Sequence, residues 1–94
     1  MNLDRLDLIV RDVPLATAFF RDVLELALRV TEERFAEIDA GGFTIMLSPE
    51  ATVPTEPARG IILHFQVDEV AQTLENVRDR GAEVLQEPTR TDWG

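Results

Sequence analysis

Apolar and polar residues alternate from Leu3 to Val10, with Leu6, Leu8 and Val10 on one side and Arg5, Asp7 and Ile9 on the other. That period of two predicts a strand with one face in a core and a mixed opposite face. At Asp12 the period changes. Asp12 is a suitable helix N-cap and Pro14 fits a first helical turn, after which Val13, Ala16, Phe20 and Val23 or Leu24 recur at helical spacing, predicting a helix that ends near Leu24. Phe19 and Phe20 are assigned to the core seam of that helix. Three short strands are predicted next, over 26–32, 35–39 and 43–48, the last two joined by a turn at Ala40-Gly41-Gly42 that favours positive φ.

Residues 49–60 hold three of the five prolines and read as a linker. The pattern then restarts. Ile61, Leu63, Phe65 and Val67 alternate with Ile62, His64 and Gln66, predicting a strand; a helix follows from Asp68-Glu69 through Arg80 and is stopped by Gly81, and 83–87 is a further short strand. An offset of 57 superimposes the two halves, matching Leu6 with Leu63, Leu8 with Phe65, Val10 with Val67, Asp12 with Glu69, Phe20 with Val77, Arg21 with Arg78 and Asp22 with Asp79. Shared apolar spacing alone does not require the Arg-Asp coincidence, so the halves read as an internal duplication.

A chain of 94 residues with 45% hydrophobic and 29% charged residues makes one globular domain. Its apolar runs are a few residues long, well short of a membrane span. Asp4, Arg5 and Asp7 interrupt any signal-peptide pattern. Cysteine is absent, which excludes disulfides, zinc-thiolate sites and thiol catalysis and makes a cytoplasmic location the expectation. A net charge of −9 argues against a nucleic-acid partner. With one His, no Cys and no Gly-rich phosphate loop, covalent and nucleotide chemistry are not expected.

The segment LDLIVRDVPLATAFFRDVLEL resembles the opening strand, Asp-led turn and helix of the glyoxalase, bleomycin-resistance and extradiol dioxygenase (vicinal oxygen chelate) superfamily, with Asp12, Ala16, Phe19, Phe20 and Leu24 in the places of its D-x-x-x-A-x-x-F-[YF]-x-x-x-L-G pattern. Glu25 stands where that pattern has a helix-ending Gly. FAEIDAGGFTIMLSP and ILHFQVDEVAQTLENVRDRGAEVLQEP are similar to the third-to-fourth strand hairpin and to the second module. The resemblance implies an α+β fold of tandem βαβββ modules, a curved mixed sheet forming a cup with the helices outside. It divides a single domain into module one at 1–48, a linker at 49–60 and a partial module two at 61–94. The offset places an eighth strand ending near about residue 105, so the second module is read as lacking its last two strands. A homodimer that completes the sheet between chains is the expected assembly.

In such a cup the helix-facing set is Leu6, Leu8, Val10, Ile45, Leu47, Leu63, Phe65 and Val67, and the cup-facing set is Arg5, Asp7, Ile9, Thr44, Met46, Ser48, Ile62, His64 and Gln66. Metal-dependent members place His, Gln or Glu on the first, fourth and fifth strands where this chain has Arg5, Met46 and Ile62, none of which ligates a hard divalent ion. A site shifted to Asp7 and His64 would need a third donor, such as Glu37. The expectation is therefore no metal and no cofactor. Candidate ligand-binding residues are Arg5, Asp7, Met46, Ile62, His64 and Gln66, with Phe35 and Trp93 as stacking aromatics. Arg5 is read as an anchor for an anionic group or as the partner of a nearby carboxylate.

The resemblance implies a metal-independent small-molecule binding protein, antibiotic-like or metabolite-directed, that makes no bonds. Two alternatives are a metal-dependent lyase, isomerase or dioxygenase of the same superfamily, and a non-catalytic fragment or assembly module.

Overall fold

A computed structural model of the chain describes residues 1–56 and 60–85. The fold is α+β. Contacts divide the chain into two compact units, Met1–Pro57 and Ala58–Gly94. The division falls inside the proline-containing stretch 49–60.

In the first unit the order is β1 (Arg5–Ile9), α1 (Val13–Ala18) running into a π-helical turn (Phe19–Val23), β2 (Ala27–Thr31), β3 (Ala36–Asp39) and β4 (Thr44–Ser48). The strands make one mixed sheet in the order β1-β4-β3-β2. β4 lies parallel to β1 and antiparallel to β3, and β2 is antiparallel to β3. The alternation in the sequence accounts for what each face carries. Leu6 and Leu8 of β1 lie in register with the buried Ile45 and Leu47 of β4, and Ala36 and Ile38 of β3 complete that row.

The helix closes over this apolar face with Val13 and Phe20, and the core is Val13, Phe20, Ala36, Ile38, Ile45 and Leu47. Each fully buried aliphatic side chain here contributes about 1.5–3 kcal/mol relative to exposure. Asp12 caps the helix as the sequence predicts: its Oδ1 accepts from the Leu15 amide at 3.0 Å, and its backbone is extended. Phe20 is buried, but Phe19 is 44% exposed and meets Phe20 edge-on with ring centroids 5.9 Å apart, so only one of the two belongs to the seam.

The helix does end near Leu24, by an unexpected route. The Leu24 amide donates to the Phe19 carbonyl, Glu25 takes a left-handed conformation with φ +57°, and the Leu26 amide reaches back to the Phe20 carbonyl at 3.0 Å. In the second unit α2 (Val70–Asp79) ends at Gly81 with φ +100°, and the Ala82 amide donates to the Val77 carbonyl at 2.9 Å. The two acceptors, Phe20 and Val77, are 57 apart, whereas the two donors, Leu26 and Ala82, are 56 apart. One additional residue therefore lies between Phe20 and Leu26, and the π turn absorbs it. The left-handed caps fall at Glu25 and Gly81, one residue out of the 57 offset.

Two predicted strands are not formed as strands. Residues 61–67 make no ladder, and 83–85 are likewise outside any strand, while Gln86 and Glu87 lie outside the described residues. A strand exists through hydrogen bonds to a neighbour, and no described segment pairs with 61–67. Its alternating apolar residues, Ile61, Leu63, Phe65 and Val67, are exposed.

Candidate functional site

The face of the first sheet opposite α1 carries the polar half of each strand, and strand register fixes its layout. In one row Arg5 of β1 lies opposite Thr44 of β4, which lies opposite Asp39 of β3. In the next row Met46 stands between Asp7 of β1 and Glu37 of β3. Ile9 and Ser48 are paired beyond it, and the Ser48 hydroxyl donates to Asp7 Oδ1 at 3.3 Å. Phe35, half-buried, precedes β3 by one residue, and alternation puts it on the Glu37 side of the strand.

Of the predicted site residues, Arg5, Asp7 and Met46 thus share one face of one sheet. Ile62, His64 and Gln66 lie in the second unit, are exposed, and belong to no strand. Trp93 lies outside the described residues.

The first row contains a cross-sheet contact from Arg29 of β2. At Arg29 the β2–β3 register slips between Leu28 and Val30, and the guanidinium reaches across the sheet. Its Nη1 donates to Thr44 Oγ1 at 2.6 Å, and its Nη2 lies 3.4 Å from Asp39 Oδ1. Asp39 is held from its other side by the Gly42 amide, which donates to Oδ1 at 2.9 Å across the turn where Gly41 and Gly42 have φ +74° and +92°. That amide, and then Arg29, hold the Asp39 carboxyl below its usual range, against the opposing effect of burial. The Arg5 Nε lies 3.3 Å from Asp4 Oδ1, an exposed pair between chain neighbours.

The second row is different. Among the described residues neither Asp7 nor Glu37 has a cationic partner. The alternation of β2 and β3 puts Arg29 on the side opposite Leu28, and Glu37 and Asp39 on the side opposite Ile38; Arg29 and Asp39 thus carry the same period-two signal as Arg5 and Asp7, while the sequence reading names Glu37 only as a possible third metal donor.

The positions on the first and fourth strands where the resemblance implies metal ligands hold Arg5, engaged with Asp4, and the thioether of Met46. Neither fits a hard divalent ion. Among the described residues no group of three or more His, Asp or Glu side chains is placed to hold a metal.

A depression at the N-terminal end of α1 is lined by Arg11, Asp12, Val13, Pro14, Glu33, Arg34 and Pro49. It is shallow and open, and Arg34 in it pairs with Glu50 at 3.1 Å. No helix among the described residues is long and apolar enough to cross a membrane.

Comparison with known proteins gives the fold a family. No curated protein matches the chain. Among solved structures, one described as a conserved domain protein is 38% identical, with a TM-score of 0.88; the match covers 100% of this chain and 83% of that one. A glyoxalase/bleomycin resistance protein/dioxygenase family enzyme from Burkholderia phytofirmans matches with a TM-score of 0.76 at 19% identity, covering 99% of this chain and 84% of that one. Lactoylglutathione lyase from Agrobacterium tumefaciens matches with a TM-score of 0.64 at 18% identity, over 90% of this chain and 74% of that one. At such identities these last two speak for the fold alone. The family model for the glyoxalase/bleomycin resistance protein/dioxygenase superfamily matches residues 2–94, and the chain belongs to that superfamily.

Proposed function

We propose that this chain is a small-molecule binding protein that works without a metal, and that the sheet face carrying Arg5, Asp7 and Met46 is where its ligand lies. The observation that carries the reading is the row of Asp7, Met46 and Glu37: two carboxylates without cationic partners among the described residues, on either side of an apolar, polarisable side chain. Such a row offers charge and apolar contact, and the donor set at the superfamily's metal positions is unsuited to Lewis-acid chemistry. Phe35 adds an aromatic edge to the same face.

The binding reading is tested by thermal shift against a panel of cationic, anionic and neutral organic compounds in the presence of EDTA. Ligands that raise the melting temperature with EDTA present support it. Stabilisation seen only after a divalent ion is added would favour the alternative, a metal-dependent lyase, isomerase or dioxygenase of the same superfamily.

We further propose that the chain is a homodimer in which sheets are completed between copies. The support is threefold: β1 and β2 are both sheet edges, 61–67 has no ladder partner among the described residues, and its apolar side chains are exposed. A cytoplasmic setting accords with the absence of cysteine.

A further inference from the structure

The outward face of the helix over the first sheet is apolar where the internal repeat is polar. Val13, Thr17 and Phe20 are buried on the sheet side of α1 and its π turn. Helical periodicity therefore turns Leu15, Ala18 and Phe19 the other way, and Leu15 is 69% exposed. At the offset of 57, α2 carries Gln72, Glu75 and Asn76 in these three places. There the Gln72 side-chain amide donates to Asn76 Oδ1 at 3.0 Å, and Glu75 pairs with Arg78. The repeat thus gives this face to water, so the fold itself does not call for apolar residues on it. A single exposed apolar side chain is ordinary, whereas a contiguous group rimmed by charge marks a contact surface.

Along the face the order is Arg11, Leu15, Ala18 and Asp22, spaced by four, three and four residues, which is the spacing of a seam between two helices. Read in opposite directions about a two-fold axis, the seam matches itself. Leu15 meets the second copy's Ala18, a large side chain against a small one, and Arg11 meets the second copy's Asp22. Arg11 has no ion-pair partner among the described residues. Asp22 already holds Arg21, at 2.7 and 2.8 Å, and a carboxylate has lone pairs left for a second guanidinium. The antiparallel direction also sets the positive end of one helix against the negative end of the other.

We propose that α1 is a self-association surface on which two copies pack helix against helix, antiparallel, with Leu15 and Phe19 at the centre and an Arg11–Asp22 pair at each end. The apolar contact supplies the affinity and the charges fix the direction. The contact lies on the helix face turned away from the sheet, so it depends neither on sheet completion between copies nor on the ligand face. One helix face is smaller than a standard interface of about 1,200 Å² or more, so the association is weak and concentration-dependent.

The test is sedimentation velocity of the full chain from about 10 μM to about 1 mM, the range of a weak contact. The mass is expected to double across the series, starting from whichever species prevails at the dilute end. Leu15→Gln, which installs the residue α2 has there, is expected to weaken the doubling at least about tenfold, the scale of one buried leucine. Arg11→Asp is expected to weaken it about three- to tenfold, the scale of two exposed ion pairs, and Arg11→Asp combined with Asp22→Arg to restore it. Circular dichroism verifies that Leu15→Gln is folded, and the charge exchange supplies the same comparison if it is not. A constant mass, or a doubling that neither Leu15→Gln nor Arg11→Asp weakens, would overturn the contact; a constant mass of two chains would do so while leaving sheet completion standing. Failure of the charge exchange to restore association would overturn the antiparallel pairing.

Discussion

Thr17 is the only buried side chain among the described residues whose polar atom lacks a hydrogen-bond partner. It is 2% exposed, inside the helix that covers the sheet. A hydroxyl in that position forfeits hydration without recovering it. Thr17→Val keeps the shape and is expected to raise stability by about 1 kcal/mol, read from the midpoint of chemical denaturation; an unchanged or lower midpoint would mean the hydroxyl is satisfied in solution. Glu25 is the second residue at odds with its place. At φ +57° a side chain with a Cβ is strained by about 1–2 kcal/mol, and Gly81 fills the matching cap of α2 without that strain. Glu25→Gly is expected to stabilise the first unit by about 0.5–1 kcal/mol once the greater freedom of glycine in the unfolded chain is subtracted. Asp39 sets a pH dependence. Its carboxyl titrates lower folded than unfolded, so the stability it brings is present above the ordinary carboxylate pKa of about 4 and is lost as pH falls through the lower folded value. Asp39→Asn, whose amide oxygen still accepts from the Gly42 amide, should flatten the acid limb of a melting-temperature profile below about pH 4.

At the scale of elements, the sequence announced most of what folded. Alternation in β1 and β4 identifies the core-facing side, with Ile45 and Leu47 buried and Leu6 and Leu8 partly so, because a half-covered sheet enforces a period of two; Thr44, on the opposite side, is buried as well. Asp12 and the Gly41-Gly42 turn were legible because capping and positive φ each select a narrow set of residues. Asp12→Ala should cost the helix about 1 kcal/mol, detected as a lower denaturation midpoint. The π turn was not legible. A single additional residue between Phe20 and Leu26 leaves the apolar spacing before it undisturbed and shows itself only in which carbonyl each capping amide reaches. The strand expected at 61–67 failed for a different reason. Its alternation records which side is apolar, whereas strand formation depends on a hydrogen-bonding neighbour that the pattern of one segment cannot supply. The contact of Arg29 with Thr44 depends on the register slip between Leu28 and Val30, which the alternation of β2 does not encode.

At the scale of the molecule, membership in the superfamily follows from the family match over residues 2–94 and accords with the mixed sheet, yet this superfamily's fold hosts binding proteins and enzymes alike. The proposed dimer makes its own prediction: light scattering should give twice the mass of 10.6 kDa, with strand content by circular dichroism exceeding that of four short strands. A folded monomer would remove the sheet-completion proposal without touching the ligand face. On the proposed reading a few side chains on one sheet face separate a binding protein from an enzyme; the alternation of β1 and β4 puts Arg5, Asp7 and Met46 on that face, and the fold adds the cross-sheet contact from Arg29. The most direct test is an amide-resolved NMR titration of the isotope-labelled chain with a small-compound library in EDTA. Metal-free binding should shift amides along β1, β3 and β4, centred on Asp7, Glu37 and Met46; binding that appears only when a divalent ion replaces the chelator would contradict it.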